Sequence, residues 1–276
     1  MKNKKYKILV LSDLKDTTQN VLKSSISLAK MVNGEINFFH VKKPLDVIKR
    51  DNQLSAMRSL NQGHTAIEKE IQSMLWPISD AYNVPIDYSF SIGNIKTEIE
   101  VYINEYQPDI IVLGKRNPKM IKFIGDSITN FVLNKFDGAI MMVANSKDLE
   151  PNKKLSFGLF NSQDQTFNSD FTEHLITNAQ KPLTSFSVIK KGSDTNKIES
   201  SSDQKVIAYT FEDSADAIGN ISKYLSKTKI DVLLVNRMKN KAKTPTSFVN
   251  TTIKDLMDDL NISLLIGNKS ASKNLV

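Results

Sequence analysis

The segment from Gly114 to Ser127 carries the residues whose types and spacing best suit the binding of an anion. It follows the apolar run Ile110–Leu113 and precedes a stretch in which apolar residues recur at helical spacing from Ile128. A glycine at a strand end lets the backbone approach a ligand closely, and the free amide groups at a helix start favour negative charge. The segment therefore predicts a phosphate-type site between a strand and a helix.

Charged and hydroxyl side chains in this segment have two interpretations. Its cations could bind phosphates, although a solvated basic loop has the same composition; they are Lys115, Arg116, Lys119 and Lys122. The Ser127 hydroxyl could contact a phosphate, although a serine at this position more commonly caps the helix that begins beside it.

Two further residues stand at the ends of predicted strands. Asp13 follows the run Lys7–Ser12, where it could hold the base or sugar of a nucleoside or could cap the next helix. His40 ends the second strand and is expected to be a packed residue rather than a base or metal ligand.

Several chemistries have no support in the sequence. None of the motifs HExxH, GxSxG, GxxxxGK[ST] and GxGxxG occurs, and no metal site is predicted. The chain has no cysteine, which excludes disulfides, thiolate metal sites and a cysteine nucleophile.

The charge is slightly basic and evenly spread. The net charge is +7, of which residues 1–150 carry +3 and residues 151–276 carry +4. A nucleic-acid-binding protein usually concentrates basic charge on one face, so no nucleic-acid partner is expected. The apolar run at Ile8–Leu11 is too short for a signal peptide or a membrane span, so we expect a cytoplasmic protein without a membrane partner.

Strands and helices are predicted to alternate through the first half of the chain. Apolar runs flanked by turn residues predict five strands: Lys7–Ser12, Glu35–Val41, Ile86–Ile92, Ile110–Leu113 and Ala139–Val143. Amphipathic stretches between them predict helices, for example the stripe Val21, Ser25, Leu28, Ala29 and Val32. This alternation is typical of an α/β fold with a parallel sheet and helices on both faces.

The pattern begins again after a polar linker, Ser146–Lys154. Strands are predicted at Leu155–Phe160, Leu183–Ile189, Val206–Phe211, Asp231–Val235 and Ile262–Ile266. Asp109–Gly114 and Asp231–Asn236 match in order, which favours a tandem duplication with domains at 1–147 and 153–276. Lys191–Gln204 stands where the first half has its long second helix; it is polar and is predicted to be a flexible loop.

The first half resembles the universal stress protein family in the order and spacing of short motifs. These are Asp13 after the first strand, His40-Val41 closing the second, Gly93 sixteen residues before Asp109, and Gly114 ending the fourth strand. The resemblance covers residues 5–145 and extends faintly over residues 153–267. It implies that each half is a five-stranded, mostly parallel sheet in the order 3-2-1-4-5. It also implies a stress-response protein that binds ATP or another adenine nucleotide.

Carried over position by position, the resemblance assigns a nucleotide site to the first half. The residues are Asp13, Leu14, Val41, Gly114, Arg116, Asn117, Gly125, Asp126 and Ser127. The loop departs from the family pattern of Gly, two residues, Gly, nine residues, Gly, then Ser or Thr. Asn117 replaces the second Gly, Asp126 replaces the third, and the loop is one residue short. A side chain at Asn117 and a carboxylate at Asp126 both disfavour a phosphate, so the pattern favours weakened binding or none.

Three functions remain open on the sequence. One is a regulatory binding protein without efficient catalysis, the second is a slow ATPase or self-phosphorylating enzyme, and the third is a ligand-free dimerisation module. Family members that resemble this chain pair through their last strand. We therefore predict that Ala139–Val143 pairs with Ile262–Ile266 as an intramolecular pseudo-dimer, with further self-association of chains also possible.

Overall fold

The computed structural model describes most of the chain in ten segments. They are residues 5–44, 53–115, 128–145, 149–160, 170–189, 206–212, 214, 217–235, 256 and 260–267.

Strands and helices alternate through both halves, as the sequence predicts. The strands are β1 Tyr6–Ser12, β2 Gly34–Lys42, β3 Ile86–Ile92, β4 Ile110–Gly114, β5 Ala139–Val143, β6 Ser156–Phe160, β7 Gln180–Ile189, β8 Val206–Glu212, β9 Val232–Val235 and β10 Ser263–Ile266. The helices are α1 Thr18–Val32, α2 Gln53–Tyr82, α3 Ile95–Tyr106, α4 Ile128–Lys135, α5 Asp170–Asn178 and α6 Ala217–Lys227. The predicted strands are confirmed, with their ends shifted by three residues at most.

One sheet of ten strands runs through the protein in the order β3-β2-β1-β4-β5-β10-β9-β6-β7-β8. The first five strands follow the predicted order 3-2-1-4-5, and the last five follow the same order from the opposite edge. Neighbouring strands within each half are parallel. The predicted pairing of β5 with β10 is present and antiparallel, with Met141 opposite Leu265. This pairing turns what the sequence predicts as two sheets into one.

Each face of the sheet carries one apolar core that spans both halves. The first core packs β-strand side chains against α1, α2 and α5, and includes Phe38, Ile71 and Phe157. The second packs against α3, α4 and α6, and includes Ile99, Val132 and Phe186. Apolar residues at a spacing of three or four place one face of each helix on the sheet, so helices cover both sides.

The two halves share one atomic detail at the start of their central strands. The Asp109 carboxylate accepts from the backbone N of Lys7 at 2.9 Å, and the Asp109 N donates to the Lys7 O at 2.9 Å. In the second half the Asp231 carboxylate accepts from the backbone N of Ser156, and the Asp231 N donates to the Ser156 O, both at 3.0 Å. The recurrence agrees with the predicted match between Asp109 and Asp231.

The predicted linker is fastened to the first half along its described part. Leu149 is buried, and its backbone N donates to Ser24 Oγ at 3.2 Å. The Ser27 hydroxyl donates to the Leu149 O at 3.2 Å. Residues 149–160 therefore connect the halves along α1. The predicted loop Lys191–Gln204 lies outside the described residues. Among the described helices, none is long and apolar enough to span a membrane.

His40 is a packed residue, as its position at the end of β2 predicts. It is 5% exposed, and its Nδ1 lies 2.9 Å from the backbone O of Ser12, so Nδ1 carries the proton. Its Nε2 is buried and has no hydrogen-bond partner among the described residues. Burial lowers the pKa of His40, and Lys42 lowers it further, while the Ser12 carbonyl, Glu70 and Asp13 oppose the shift.

Stability should therefore fall as the solution is acidified through the range in which His40 titrates. In the unfolded chain the His40 imidazole binds a proton near pH 6.5, whereas in the folded chain its pKa is lower. The unfolded state therefore binds more protons between the two pKa values, and the free energy of unfolding rises with pH in that range. One such group contributes at most about 1.4 kcal/mol per pH unit. Urea unfolding from pH 7.5 to pH 5 measures the decline.

The matched variants are His40→Asn and His64→Gln. An Asn amide can keep the bond to the Ser12 carbonyl but does not titrate, so His40→Asn should flatten the decline. His64 is exposed on α2, and the His64→Gln variant should show the same decline in stability as the wild type. An equal slope in wild type and His40→Asn would contradict the assignment.

Candidate functional site

A cavity lies at the carboxyl ends of β1, β2 and β4, between the amino ends of α1 and α3. Its described lining combines apolar side chains with a few polar groups: Leu11, Ser12, Asp13, Thr17, Val21, Phe39, Val41, Ile95, Ile99, Leu113, Gly114, Ile128 and Thr129.

The strand order explains why the cavity is here. The chain passes from β1 to β2 on one side of the sheet and from β3 back to β4 on the other, so the helices after β1 and β4 diverge. A crevice opens at such a reversal, outside the carboxyl ends of the strands, and it is where open α/β sheets bind ligands.

Three of the sequence-predicted site residues meet at this cavity. Asp13, Val41 and Gly114 follow or end three different strands, up to 101 positions apart in the chain, and all line it. The Leu14 side chain is 8% exposed and packs in the core with α1 and α2. The remaining predicted residues lie outside the described part of the chain: Arg116, Asn117, Gly125, Asp126 and Ser127.

The turn after β1 is held in a conformation that is rare for a bulky residue. Leu14 has a φ of 59°, in the left-handed region that costs roughly 1–3 kcal/mol outside glycine. Two hydrogen bonds maintain this conformation, and both involve the Ser12 hydroxyl. The Leu14 N donates to Ser12 Oγ at 3.1 Å, and the same Oγ lies 2.8 Å from Thr18 Oγ1 on the first turn of α1. Strain of this kind is found at ligand sites, and here it fixes the backbone beside the cavity.

Asp13 does not cap α1, which corrects one of the two roles expected for it. The N-cap residue, which precedes the helix, is Thr17, and its side chain makes no capping hydrogen bond. The Asp13 carboxylate accepts from the backbone N of Lys15 at 3.3 Å, and Lys15 Nζ lies 3.9 Å from its other oxygen. The side chain remains 36% exposed at the cavity rim. Its carboxylate is therefore oriented by the turn and accessible to a ligand.

The cavity wall formed by β2 and α3 is apolar and rigid. Phe39 stacks on Tyr102 with ring centroids 4.0 Å apart and planes at 6°, and the Tyr102 hydroxyl donates to Asn37 and lies 2.9 Å from Ser89 Oγ. Phe39 and Ile95 were missed as site residues by the sequence analysis. The sequence does place Phe39 near the end of a predicted strand and Ile95 near the start of a predicted helix. Only the folded sheet brings these two positions together at the cavity.

Gly114 sits where the backbone of β4 passes close to α1. A Cβ at this position would lie 3.1 Å from Val21 Cγ2 and 3.2 Å from Thr17 Oγ1, and both of those residues line the cavity. The glycine therefore keeps the cavity open at its base.

Lys115 is not an available cation for a phosphate, in contrast to the expectation from sequence. It is 8% exposed, and its Nζ donates a hydrogen bond to the backbone O of Leu260 in the second half. The basic loop residues at positions 116, 119 and 122 lie outside the described residues, as do Asn161 and Asn236 at the equivalent strand ends of the second half. In the described part of the chain, no group of three acidic or histidine side chains could hold a metal ion.

Comparison with solved structures shows the same fold in other proteins. A universal stress protein from Archaeoglobus fulgidus DSM 4304 matches with a TM-score of 0.67 and 13% identity, covering 96% of this chain and 98% of that one. A putative universal stress protein from Pseudomonas aeruginosa UCBPP-PA14 matches with a TM-score of 0.58 and 13% identity, covering 96% and 94%. No curated protein sequence matches the chain.

The family profile described as "Universal stress protein family" matches residues 6–144. This span contains β1 to β5 and every described residue of the cavity lining. The matched span is just over half of the chain. Its five strands have the order 3-2-1-4-5 that the resemblance predicts. The chain belongs to the universal stress protein family.

Proposed function

We propose that this protein is a regulatory binding protein of the stress response, without efficient catalysis, and that its first half takes an adenine nucleotide such as ATP. One observation carries the proposal: Asp13, Val41 and Gly114, which the sequence assigns to a nucleotide site, line one cavity at the reversal of strand order. The residues come from three strand ends, so their meeting is a property of the fold.

The lining suits the parts of a nucleotide. Phe39, Val41 and Ile95 form an apolar wall against which a flat base can pack. The Asp13 carboxylate at the rim can accept from ribose hydroxyls. Gly114 permits close approach of backbone to phosphate, and the amino end of α4 near Ile128 favours negative charge.

The affinity is expected to be modest because two sequence positions oppose a phosphate. Asn117 adds a side chain where the family pattern has glycine, and Asp126 adds a negative charge. A like-charge repulsion of this kind costs roughly 1 kcal/mol or more, depending on the local dielectric.

Two other functions use the same fold and are separated by the same experiment. A slow ATPase would release phosphate or transfer it to the protein in the presence of Mg²⁺. A ligand-free dimerisation module would bind no nucleotide. Colorimetric phosphate release and intact mass, followed in the titrated samples, distinguish turnover from binding.

Calorimetric titration with ATP and Mg²⁺ should give a dissociation constant above about 1 µM, which corresponds to a binding free energy of about 8 kcal/mol or less. Asp13→Ala should weaken binding about tenfold, because hydrogen bonds to a charged acceptor contribute roughly 1.5 kcal/mol or more. Asp16→Ala removes the same charge from the same turn, at a residue outside the cavity lining, and should bind as wild type does.

Submicromolar binding by the wild type would contradict the weakened site. Equal weakening by Asp13→Ala and Asp16→Ala would mean that the carboxylate acts through general charge alone. Absence of binding to ATP, AMP and cyclic AMP would favour the dimerisation module.

Gly114→Ala tests the base of the cavity. The new methyl group should displace Val21 or Thr17 and lower the affinity for ATP, at a stability cost of roughly 1–3 kcal/mol for overpacking. Gly219→Ala is the control, since a Cβ there meets nothing within 4 Å on the exposed side of α6. That change should raise stability by up to about 1 kcal/mol and leave the affinity unchanged. Wild-type affinity in Gly114→Ala would argue against a ligand at this strand end.

A further inference from the structure

The Lys115 side chain crosses from the first half of the protein to the second. Its Nζ donates to the backbone O of Leu260, a residue 145 positions later that precedes β10. Both residues are buried, with Lys115 8% and Leu260 1% exposed. A charged amine is costly to bury without a partner, so the carbonyl holds the ammonium in place.

The Lys115 backbone is fixed as well. Its N donates to the Val143 O at 2.8 Å, which extends the pairing of β4 with β5 by one residue. The Leu260 N donates to the Leu256 O at 3.1 Å, the bond of a helical turn. The lysine therefore points at a carbonyl just after a helical turn, where cations are favoured.

Lys115 also stands directly beside the cavity. The residue before it, Gly114, lines the cavity, and the chain returns to the lining at Ile128 and Thr129. Lys115 is therefore the first residue of the connection between two cavity walls, and this residue is attached to the second half.

We propose that Lys115 is a positioning residue through which the second half holds the carboxyl end of β4, and with it Gly114 at the base of the proposed nucleotide cavity. It does not contact the ligand; it fixes the backbone next to Gly114. This inference rests on the proposed nucleotide site. It gives the second half, whose Asn236 replaces the glycine of the loop pattern, a role as the support of a site that it does not itself carry.

A second cross-half hydrogen bond provides the matched control. Ser263 Oγ accepts from the Ala144 N at 3.1 Å, and both residues are at most 2% exposed. Ala144 follows β5 and is not part of the cavity lining. Loss of this bond should weaken the contact between the halves without altering the end of β4 at Gly114.

The test compares wild type, Lys115→Met and Ser263→Ala as full-length proteins, by thermal unfolding and by calorimetric titration with ATP and Mg²⁺. Both variants should unfold at a lower temperature. Lys115→Met should weaken ATP binding at least fivefold, whereas Ser263→Ala should remain within twofold of wild type. Equal affinities in Lys115→Met and wild type, or equal losses in the two variants, would overturn the proposal.

Hydrogen exchange separates this proposal from the nucleotide site itself. In ligand-free protein the backbone amide of residue 115, which donates to the Val143 O, should exchange faster in Lys115→Met than in Ser263→Ala. Absence of ATP binding by the wild type would defeat the proposed function, and the exchange rates would still decide whether Lys115 holds the end of β4. Weaker ATP binding with unchanged exchange would instead indicate a direct phosphate contact and would overturn the positioning role.

Discussion

The antiparallel pairing of β5 with β10 is the interaction on which the architecture depends. Each strand is the last of its half and is apolar on both sides, so each would otherwise expose a row of unpaired backbone groups beside apolar side chains. Pairing satisfies those groups, and an unsatisfied buried donor or acceptor costs about 1–3 kcal/mol. It also buries Met141, Met142, Leu264 and Leu265, so the two cores become continuous on both faces of the sheet. The two halves are therefore joined by backbone hydrogen bonds between strands, as the strands within each half are.

The two halves share the hydrogen bonds that tie their central strands together, but they differ at the carboxyl ends of those strands. Asp109 and Asp231 tie the central strands together with the same two hydrogen bonds. The described cavity lining, however, belongs entirely to the first half. The hydrogen bonds that tie strands together serve stability, and stability needs them in both halves. Residues that line a cavity at strand ends are under no such requirement, since loops at strand ends vary more than the elements they connect.

The turn after β1 connects the core to the site. The strained Leu14 is held by Ser12 Oγ on one side and by burial of its own side chain on the other. The Ser12 carbonyl in turn accepts from His40 on the neighbouring strand. Asp13 lies between these two anchored residues, so its backbone position is set by the core although its carboxylate reaches the rim. The carboxylate at the rim is therefore oriented by the fold itself.

The sequence alone determined the order of elements, the faces of the helices and the identity of the fold. Apolar runs of four to nine residues and stripes such as Val21, Leu28 and Val32 depend on local periodicity, which is present in a single chain. The same holds for Asp13 and Gly114, which stand at predictable strand ends. The pairing of the final strands also followed from their apolar composition and from the family resemblance.

Only the tertiary structure decided which distant groups meet. Lys115 is a basic residue in a segment that begins with a glycine and is rich in Lys and Arg. The composition of that segment suggests a side chain that is solvated or binds phosphate. Its partner is a backbone carbonyl 145 residues away, and a carbonyl leaves no signature in the sequence. Thr17, and not Asp13, is the N-cap residue of α1, because a left-handed Leu14 and a further turn separate Asp13 from the helix start. Phe39 and Ile95 became cavity walls because the twist and order of the strands bring their ends together, and those long-range contacts are not encoded in any local pattern.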